Sequence, residues 1–509
     1  MSAVTGFPRA TSGSRAVSAA KVKLADRAAL SVLVVVATAL RLIHIGSQSY
    51  WGDEDATVRL MRQSLWHMFR YGIVTTEATP PLYYVIAAFW SRIFGTSEFA
   101  LRSLSALVGV ATVVVAYAIG VELRSRRGGL ILAAFVALSP LAVWYSQDAR
   151  AYSLLIFLTS LALLFFAQAL RTESSRSIWL WAFAAAAALT AHYFAIFVVI
   201  PEAVALLAFR KTRSRALWPT ALVAAIWFAL LPLFLDQQSK TDHTSWITYI
   251  GLTTRLKIVL QWFVAGRWDS NFALIIAAGL CAAMIVGVGV VMRRLHEREL
   301  VILGVGASAI LLPVVMALFG LDYVIDRYFV AVWIPFAVVL TATLASWKRA
   351  GVVLAALLCG LALAATVTTA ATPSLERSDW RQAAQKLSLL PPHTLDIVYP
   401  DFEVNALKVY GPNVALVTAR AVRTRRIVIV AQDPWSSTRA DTLAFHLPSA
   451  FHETGETAFS TFELITYTAR HAVPVAVSRL TSMRPTGYLT ATTPWASSVF
   501  YDPSAASGR

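Results

Sequence analysis

Charge is what this 509-residue chain has least of: Asp, Glu, Lys and Arg together make up 14% of it, where a soluble domain carries about 25%. Set beside a hydrophobic content of 57%, that shortage excludes both a soluble globular enzyme and a disordered chain. Cysteine is nearly missing. Cys281 and Cys359 each lie inside an apolar run without metal-ligand spacing, which argues against a zinc site and against a disulfide. A Walker loop and a dinucleotide fingerprint are also absent, so nothing points to ATP-driven pumping. Acids are the scarcer sign, 28 against 44 Lys and Arg, for a net charge of +16. The excess does not form a nucleic-acid surface. From residue 373 onward 13 basic residues nearly balance 11 acidic ones, and the rest of the excess lies mostly in short loops between apolar runs.

Those runs are what the sequence has in plenty. They predict spans near 28–46, 100–122, 128–146, 150–170, 177–191, 193–209, 216–235, 271–292, 299–320, 328–346 and 351–371. A twelfth run, 81–95, starts with Pro80-Pro81 and contains Arg92. At about 1.5 Å per residue it is shorter than the hydrocarbon core. The positive-inside rule gives a separate vote. If 81–95 is an interfacial helix, the Arg- and Lys-rich loops 122–128, 171–177, 210–215, 293–298 and 347–350 all share the cytoplasm with the basic N-terminus. If it crosses, they land outside. The expectation is therefore an α-helical polytopic membrane protein of about 11 transmembrane helices in the cell membrane, N-terminus in and C-terminus out. Residues 1–27, rich in Ser, Ala, Arg and Lys, are expected to be disordered and cytoplasmic.

The last part of the chain changes character. Segments 396–399, 426–430 and 461–467 alternate as strands do, and 378–387 reads as a helix capped by Ser378 or Asp379. Residues 373–509 are expected to form a small α/β extracytoplasmic domain.

With this topology the polar residues collect on one side. The first outer loop, 47–99, opens with Asp53, Glu54 and Asp55 behind Tyr50 and Trp51. A carboxylate there can take a proton from a hydroxyl or bind a divalent cation, or simply begin a solvated helix. Tyr83 and Tyr84 follow the double proline and either bind a ligand or anchor in the headgroup layer. The turn after the third span holds Asp148 and Arg150, which line a cavity or pair with each other. His192 and Tyr193 sit at the outer end of a span pair, where a lone histidine can also be structural, and Arg327 precedes the span 328–346. An Arg at a membrane edge pairs well with phosphate or anchors topology. Arg41 and Arg102, near span ends, either snorkel or pair internally.

Taken together, an Asp-Glu pair after the first span, Pro-Pro-Leu-Tyr-Tyr at 80–84, 94–102, Leu-Ser-Pro at 138–140 running into 146–152, His192-Tyr193 and Arg327-Tyr328 form a pattern. It resembles the polytopic glycosyltransferases of the C superfold, the group that includes protein O-mannosyltransferases and aminoarabinose transferases. The resemblance covers roughly 28–371, most strongly 47–152, so 28–372 is expected to be the transmembrane glycosyltransferase domain. It implies a polyprenyl-phosphate-linked sugar donor and transfer on the outer face with the lipid phosphate as leaving group; inverting displacement by a hydroxyl of a glycan, lipid or protein is the mechanism expected. It implies Asp53, with Glu54 beside it, as the base, Asp148 as the second acid, Arg327 or Arg150 on the phosphate, and His192, Tyr193, Tyr83 and Tyr84 around the donor. Mannose and arabinose, and a cell-wall acceptor, are among the open choices. Two departures stand out. Aminoarabinose transferases carry a Lys near the double proline, where this chain has Glu77 and Thr79. The loop 236–270 is too short for the β-trefoil of the mannosyltransferases. If Mg²⁺ or Mn²⁺ binds, Asp53 and Asp148 are its candidates, an incomplete ligand set. A lipid or sugar transporter or flippase predicts charges in mid-span, and 30–40 and 351–371 have none. A non-catalytic assembly protein would tolerate loss of Asp53, Asp148 and Arg327.

Overall fold

The computed structural model describes residues 12–501 except 241–246, 248–249, 268–296, 392–393, 400–402, 412–414, 418, 433–444, 446 and 482–497. The run 271–292, Cys281 and part of the loop 236–270 fall outside the described residues. Up to Ala371 the described chain is helical: α1 (Ser12–Leu42), α2 (Gly52–Met61), α3 (Leu82–Phe94), α4 (Glu98–Leu123), α5 (Arg126–Leu138), α6 (Pro140–Ser146), α7 (Tyr152–Thr172), α8 (Ser175–Ala191), α9 (Ile196–Ala208), α10 (Arg213–Lys240), α11 (Leu252–Ala265), α12 (Glu297–Leu318), α13 (Val330–Ser346) and α14 (Lys348–Ala371), with further short helical segments between Met61 and Leu82. The first helix begins at Ser12, inside the segment the composition marks as disordered. Its Ala, Lys and Arg residues are strong helix formers, so it continues the apolar helix behind it.

Among the described residues six helices are long and apolar enough to cross a bilayer, and the bent pair α5–α6 makes a seventh if counted as one broken span. They carry large apolar side chains outward, such as Leu107, Val114, Trp218, Phe228 and Leu357, as helices facing lipid do. Of the expected spans missing from this count, 271–292 lies outside the described residues, and two others are short helices. With 17 residues in α8 and 13 in α9, these helices are about 26 and 20 Å long, short of a hydrocarbon core of about 30 Å. The 13-residue α3 is shorter than the core too. It turns Tyr83, Tyr84, Ala87 and Ala88 inward and leaves Phe89, Ile93 and Phe94 exposed.

The α5–α6 pair bends by 56° at Ser139-Pro140. Proline has no N–H for the carbonyl four residues back, here Val136. Arg41, fully buried in α1, fills the gap: Nη2 donates to the Val136 carbonyl at 2.9 Å and Nη1 to Ala137 at 3.1 Å.

Beyond α14 the chain folds into α15 (Trp380–Leu387), α16 (Val404–Tyr410) and a six-stranded mixed sheet. The strands are β1 (Thr394–Tyr399), β2 (Ala415–Leu416), β3 (Ala421–Gln432), β4 (His452–Ala458), β5 (Phe462–Ala476) and β6 (Ser498–Tyr501), in the order β2-β6-β1-β3-β5-β4. Among the described strands only β1 and β3 pair in parallel. Strand alternation splits the core into two. Leu395, Ile397, Ile427 and Ile429 pack on one face, while Val398, Val428 and Val430 meet Trp380 and Leu407 of the helices on the other. Asp379 caps α15, its Oδ1 accepting from the Gln382 N–H at 3.1 Å.

This unit rests on the first loop. Ser49 Oγ donates to the Ser378 carbonyl at 2.8 Å and accepts from the Trp380 N–H at 2.9 Å. The Tyr410 hydroxyl accepts from the Tyr50 N–H and donates to Glu98, each at 2.6 Å. Arg381 also pairs with Glu98.

Candidate active site

The three acids of the first loop occupy the first turn of α2, where the helix dipole favours negative charge. Successive residues on a helix point about 100° apart, so they meet three different partners. Glu54 faces the interior and is fully buried. Its Oε1 accepts from Arg102 Nε at 2.8 Å and from the Ala149 N–H at 2.7 Å, and its Oε2 from Arg102 Nη2 at 2.5 Å. Arg102 adds hydrogen bonds to the carbonyls of Ile45, Gln48 and Ser49, which fixes the chain entering α2. Asp55 is buried too and accepts from Arg59 one turn on, Nε to Oδ2 at 2.8 Å. Burial pushes the Asp55 carboxyl up to about 7, against the pull of Arg59.

Asp53 is the acid that looks outward. Its side chain is 32% exposed and pairs with Arg327, 17% exposed, Nη1 to Oδ2 at 2.5 Å. The two are 274 residues apart in sequence. Magnitudes separate the acids. Breaking a buried ion pair such as Glu54–Arg102 costs about 3–5 kcal/mol. An ion pair near solvent is worth about 0–1 kcal/mol. Asp53 can therefore exchange partners cheaply and Glu54 cannot.

The turn between α6 and α7 completes the site. Asp148 is fully buried; Oδ1 accepts from the Trp51 indole N–H at 3.2 Å, and Oδ2 has no hydrogen-bond partner. Burial first and the Glu54 charge second push its carboxyl up to about 7, while Arg377 and Trp51 work the other way. Arg150 does not pair with Asp148. It donates to Glu77 Oε1 at 2.7 Å, and this pair is buried. The acid beside the double proline thus has a physical reason: it answers a buried arginine. Arg150 also acts electrostatically on Tyr84, Tyr152 and Asp53.

His192 is buried behind Tyr152, the two rings 5.7 Å apart. Its Nδ1 accepts from the Phe194 N–H at 3.2 Å, and its Nε2 has no hydrogen-bond partner. Burial and the charge of Arg150 hold it neutral, down to about 3. Tyr83 and Tyr84 are both buried rather than spread in a headgroup layer. The Tyr84 hydroxyl bonds Thr79 at 2.8 Å, and that of Tyr83 has no hydrogen-bond partner. Tyr193 turns aside and donates to Gln237 Oε1 at 2.8 Å. Gln237 in turn donates to the carbonyls of Ile73 and Thr79, so Tyr193 braces the first loop.

The structure thus brings Asp53, Arg327, Arg150, Asp148, His192 and Tyr83 into one neighbourhood and commits Glu54 to Arg102. Sequence reading missed Tyr145, whose hydroxyl donates to Asp326 Oδ2 at 3.0 Å beside Arg327. It also missed Arg377, which stacks 4.1 Å over the Trp144 ring and donates to Gln48 and the Trp144 carbonyl. Nothing in sequence spacing could have joined residues so far apart. A cavity of about 290 Å³ opens beside the turn, lined by Leu40, Ile43, Trp144, Gln147, Trp262 and Arg267 among others. The donor set does not fit Mg²⁺ or Mn²⁺. Arg327 engages Asp53, Trp51 engages Asp148, and no group of three His, Cys, Asp or Glu forms among the described residues.

Residues 78–234 match the family described as dolichyl-phosphate-mannose-protein mannosyltransferase. No curated protein matches the chain. Among solved structures, ArnT from Cupriavidus metallidurans in the apo state aligns over 86% of this chain and 97% of its own, with 12% identity and a TM-score of 0.51. The same protein bound to undecaprenyl phosphate aligns over 87% and 99%, with 14% identity and a TM-score of 0.48. The oligosaccharyltransferase of Archaeoglobus fulgidus, in complex with Zn and sulfate, aligns over 75% of this chain with 13% identity and a TM-score of 0.48. The chain spans only 61% of that enzyme's length. The matched segment and the fold shared with ArnT both support the resemblance to polytopic glycosyltransferases of the C superfold.

Proposed function

We propose that this chain moves a sugar from a polyprenyl-phosphate-linked donor to a hydroxyl acceptor on the outer face of the cell membrane, by inverting displacement. In this reading eleven spans carry the chain, the N-terminus is cytoplasmic, and the sheet domain is extracytoplasmic. The acceptor is a glycan, a glycolipid or a protein.

The observation that carries the reading is the half-open Asp53–Arg327 pair. A donor phosphate competes with Asp53 for the guanidinium, since both make short charge-assisted hydrogen bonds to it. When Arg327 turns to the phosphate, Asp53 is released toward the acceptor. The acceptor oxygen attacks the anomeric carbon, and its proton passes to Asp53. The bond from the anomeric carbon to the phosphate oxygen breaks, and polyprenyl phosphate leaves with the electron pair. Arg327 stabilises the charge that grows there. Arg150, held by Glu77, adds a fixed positive charge nearby. A buried polar atom without a partner costs about 1–3 kcal/mol. Tyr83, Asp148 and His192 each leave one such atom, and sugar hydroxyls are complementary to all three. The cavity beside Trp144 offers apolar space for the first isoprene units. The family description, which names a dolichyl-phosphate-linked sugar, supports the donor class.

The test uses purified wild type and Asp53→Asn in detergent with a panel of radiolabelled polyprenyl-phosphate sugars. The expected result is turnover of one donor by wild type and its loss in Asp53→Asn. Turnover that survives Asp53→Asn overturns the assignment of the base. Donor panels and acceptors all left unused by a folded wild type overturn the reaction class.

A further inference from the structure

The start of α2 carries no cap of its own. The residue before it is Trp51, whose side chain accepts nothing from the helix. The place is taken by a residue from the far end of the chain. Glu403, just ahead of α16, lies with its carboxyl against Gly52, the first residue of α2. A Cβ on Gly52 would stand 3.1 Å from Oε2 and 3.2 Å from both Oε1 and Cδ of Glu403, so the carboxyl would have to give way by a few tenths of an ångström. The Gly52 backbone favours the charged form of this carboxyl. Glu403 is 2% exposed, its Oε2 has no hydrogen-bond partner, and the Trp380 side chain also acts on the carboxyl. A carboxyl at this point answers the unpaired N–H groups that every helix start leaves open.

The surroundings make the contact more than incidental. The next residue of α2 is Asp53, and Glu403 feels the charges of Asp55 and Asp53. Burial first and those two charges second push its carboxyl up to about 8, so it meets them as a neutral acid rather than as a fourth negative charge. Asp55 and Asp53 are themselves paired with Arg59 and Arg327. Around Glu403 the docking of the sheet domain is continuous. Ser378, Trp380 and Tyr410 hold the loop just before α2 through Ser49 and Tyr50.

We propose that Glu403 is a positioning residue, through which the sheet domain caps α2 and sets where Asp53 stands. The proposal rests on the reading of Asp53 as the catalytic base. It gives the sheet domain a role in the transfer itself: with the domain displaced, the first turn of α2 loses its cap and the base loses its place. The donor phosphate and lipid are held elsewhere, by Arg327, Arg150 and the cavity, so the effect falls on the chemical step and not on donor binding.

Two kinds of measurement test it. Amide hydrogen exchange of the peptide over 50–61 needs no substrate and reports the cap alone. Glu403→Ala should raise exchange at the first turn of α2 at least several-fold, and Glu403→Gln, which keeps shape and hydrogen bonding, should restore protection. Turnover is the second. Glu403→Ala should lower kcat at least about tenfold with KM for the donor changed less than about twofold, and Glu403→Gln should recover most of it. Gly52→Ala should reproduce the kcat loss, and Gly52→Ala with Glu403→Ala should be no worse than the worse single variant, the non-additivity expected of a direct contact. Unchanged exchange in Glu403→Ala, or additive losses in the double variant, overturns the proposal. Raised exchange together with turnover that survives Asp53→Asn supports the cap and overturns the base instead, which separates the two failures.

Discussion

Neighbouring acids on one turn should fail in opposite ways. Glu54→Gln keeps the volume and removes the charge that compensates Arg102. The pair is buried, with side-chain exposures of 0% and 1%. Removing one partner of such a pair costs about 3–5 kcal/mol, because the other charge stays buried. Arg102 keeps its three carbonyl partners, which moves the expected loss toward the lower end, about 3 kcal/mol. The Ala149 N–H that Glu54 accepts at 2.7 Å is weakened as well. Asp53→Asn removes a half-open pair and should cost no more than about 1 kcal/mol. The assay is unfolding in detergent followed by tryptophan fluorescence, run beside donor turnover on the same samples. Glu54→Gln should unfold much earlier, with turnover per folded molecule largely kept at low temperature. Asp53→Asn should melt like wild type and lose turnover. Glu54→Gln combined with Arg102→Met should regain part of the lost stability, since removing both charges leaves none unpaired. Glu54→Gln that melts like wild type yet loses turnover would refute the division of labour.

Three further outcomes follow. Stability should fall as pH rises from about 4 to 7, because Asp55 and Asp148 are pushed up to about 7 in the fold. In that window the unfolded chain has already released protons that the native state holds, so unfolding releases protons and higher pH favours it. Above about pH 7 this contribution levels off, and Asp148→Asn should flatten the slope of melting temperature against pH; a slope identical to wild type would count against the burial of Asp148. Glu77→Gln strips Arg150 of its buried partner and should cost about 3–5 kcal/mol, seen as a lower melting temperature; an unchanged melt would mean that Arg150 finds another acid. Tyr410→Phe leaves the Tyr50 N–H and Glu98 without their shared hydroxyl, a loss of about 1–3 kcal/mol. Faster limited proteolysis at the junction near residue 373 should report it, and an unchanged cleavage rate would count against this docking contact.

Local pattern made much of this legible. Strand alternation announced β1, β3 and β5, Ser378 or Asp379 marked the start of α15, where Asp379 is the cap, and the double proline announced α3. The charge pattern put Asp53, Asp148, Arg150, His192 and Arg327 on one side, and in the structure Asp53 meets Arg327 while Arg150 acts on His192. What stayed hidden depends on pairings across long separations. Asp53 and Glu54 look equivalent in sequence, and only the 100° step of a helix sends one to Arg102 and the other to Arg327. Arg150 had a nearer acid in Asp148 and took Glu77 instead. Glu403 and Arg377 lie hundreds of residues from the loop they touch, in a region whose strands say nothing of where they dock.

The bend at Pro140 ties these pairings together. Irregular backbone at membrane depth survives only where protein groups replace the lost hydrogen bonds. Here the replacement comes from α1: Arg41 takes the Val136 carbonyl that Pro140 leaves open and the Ala137 carbonyl beside it. The bend re-aims α6, and the debt is returned at its far end, where Gln147 donates to the Leu40 and Ile43 carbonyls at the end of α1. A turn pinned in this way has its next three residues placed for it. Asp148 reaches Trp51, the Ala149 N–H reaches Glu54, and Arg150 reaches Glu77. Each of these partners belongs to the segment between α1 and α4. The break in the span is therefore what joins the two halves of the site, and a straight helix in its place would carry Asp148 and Arg150 away from Asp53. Leu-Ser-Pro at 138–140 bears on the chemistry through geometry alone, without touching the reacting groups.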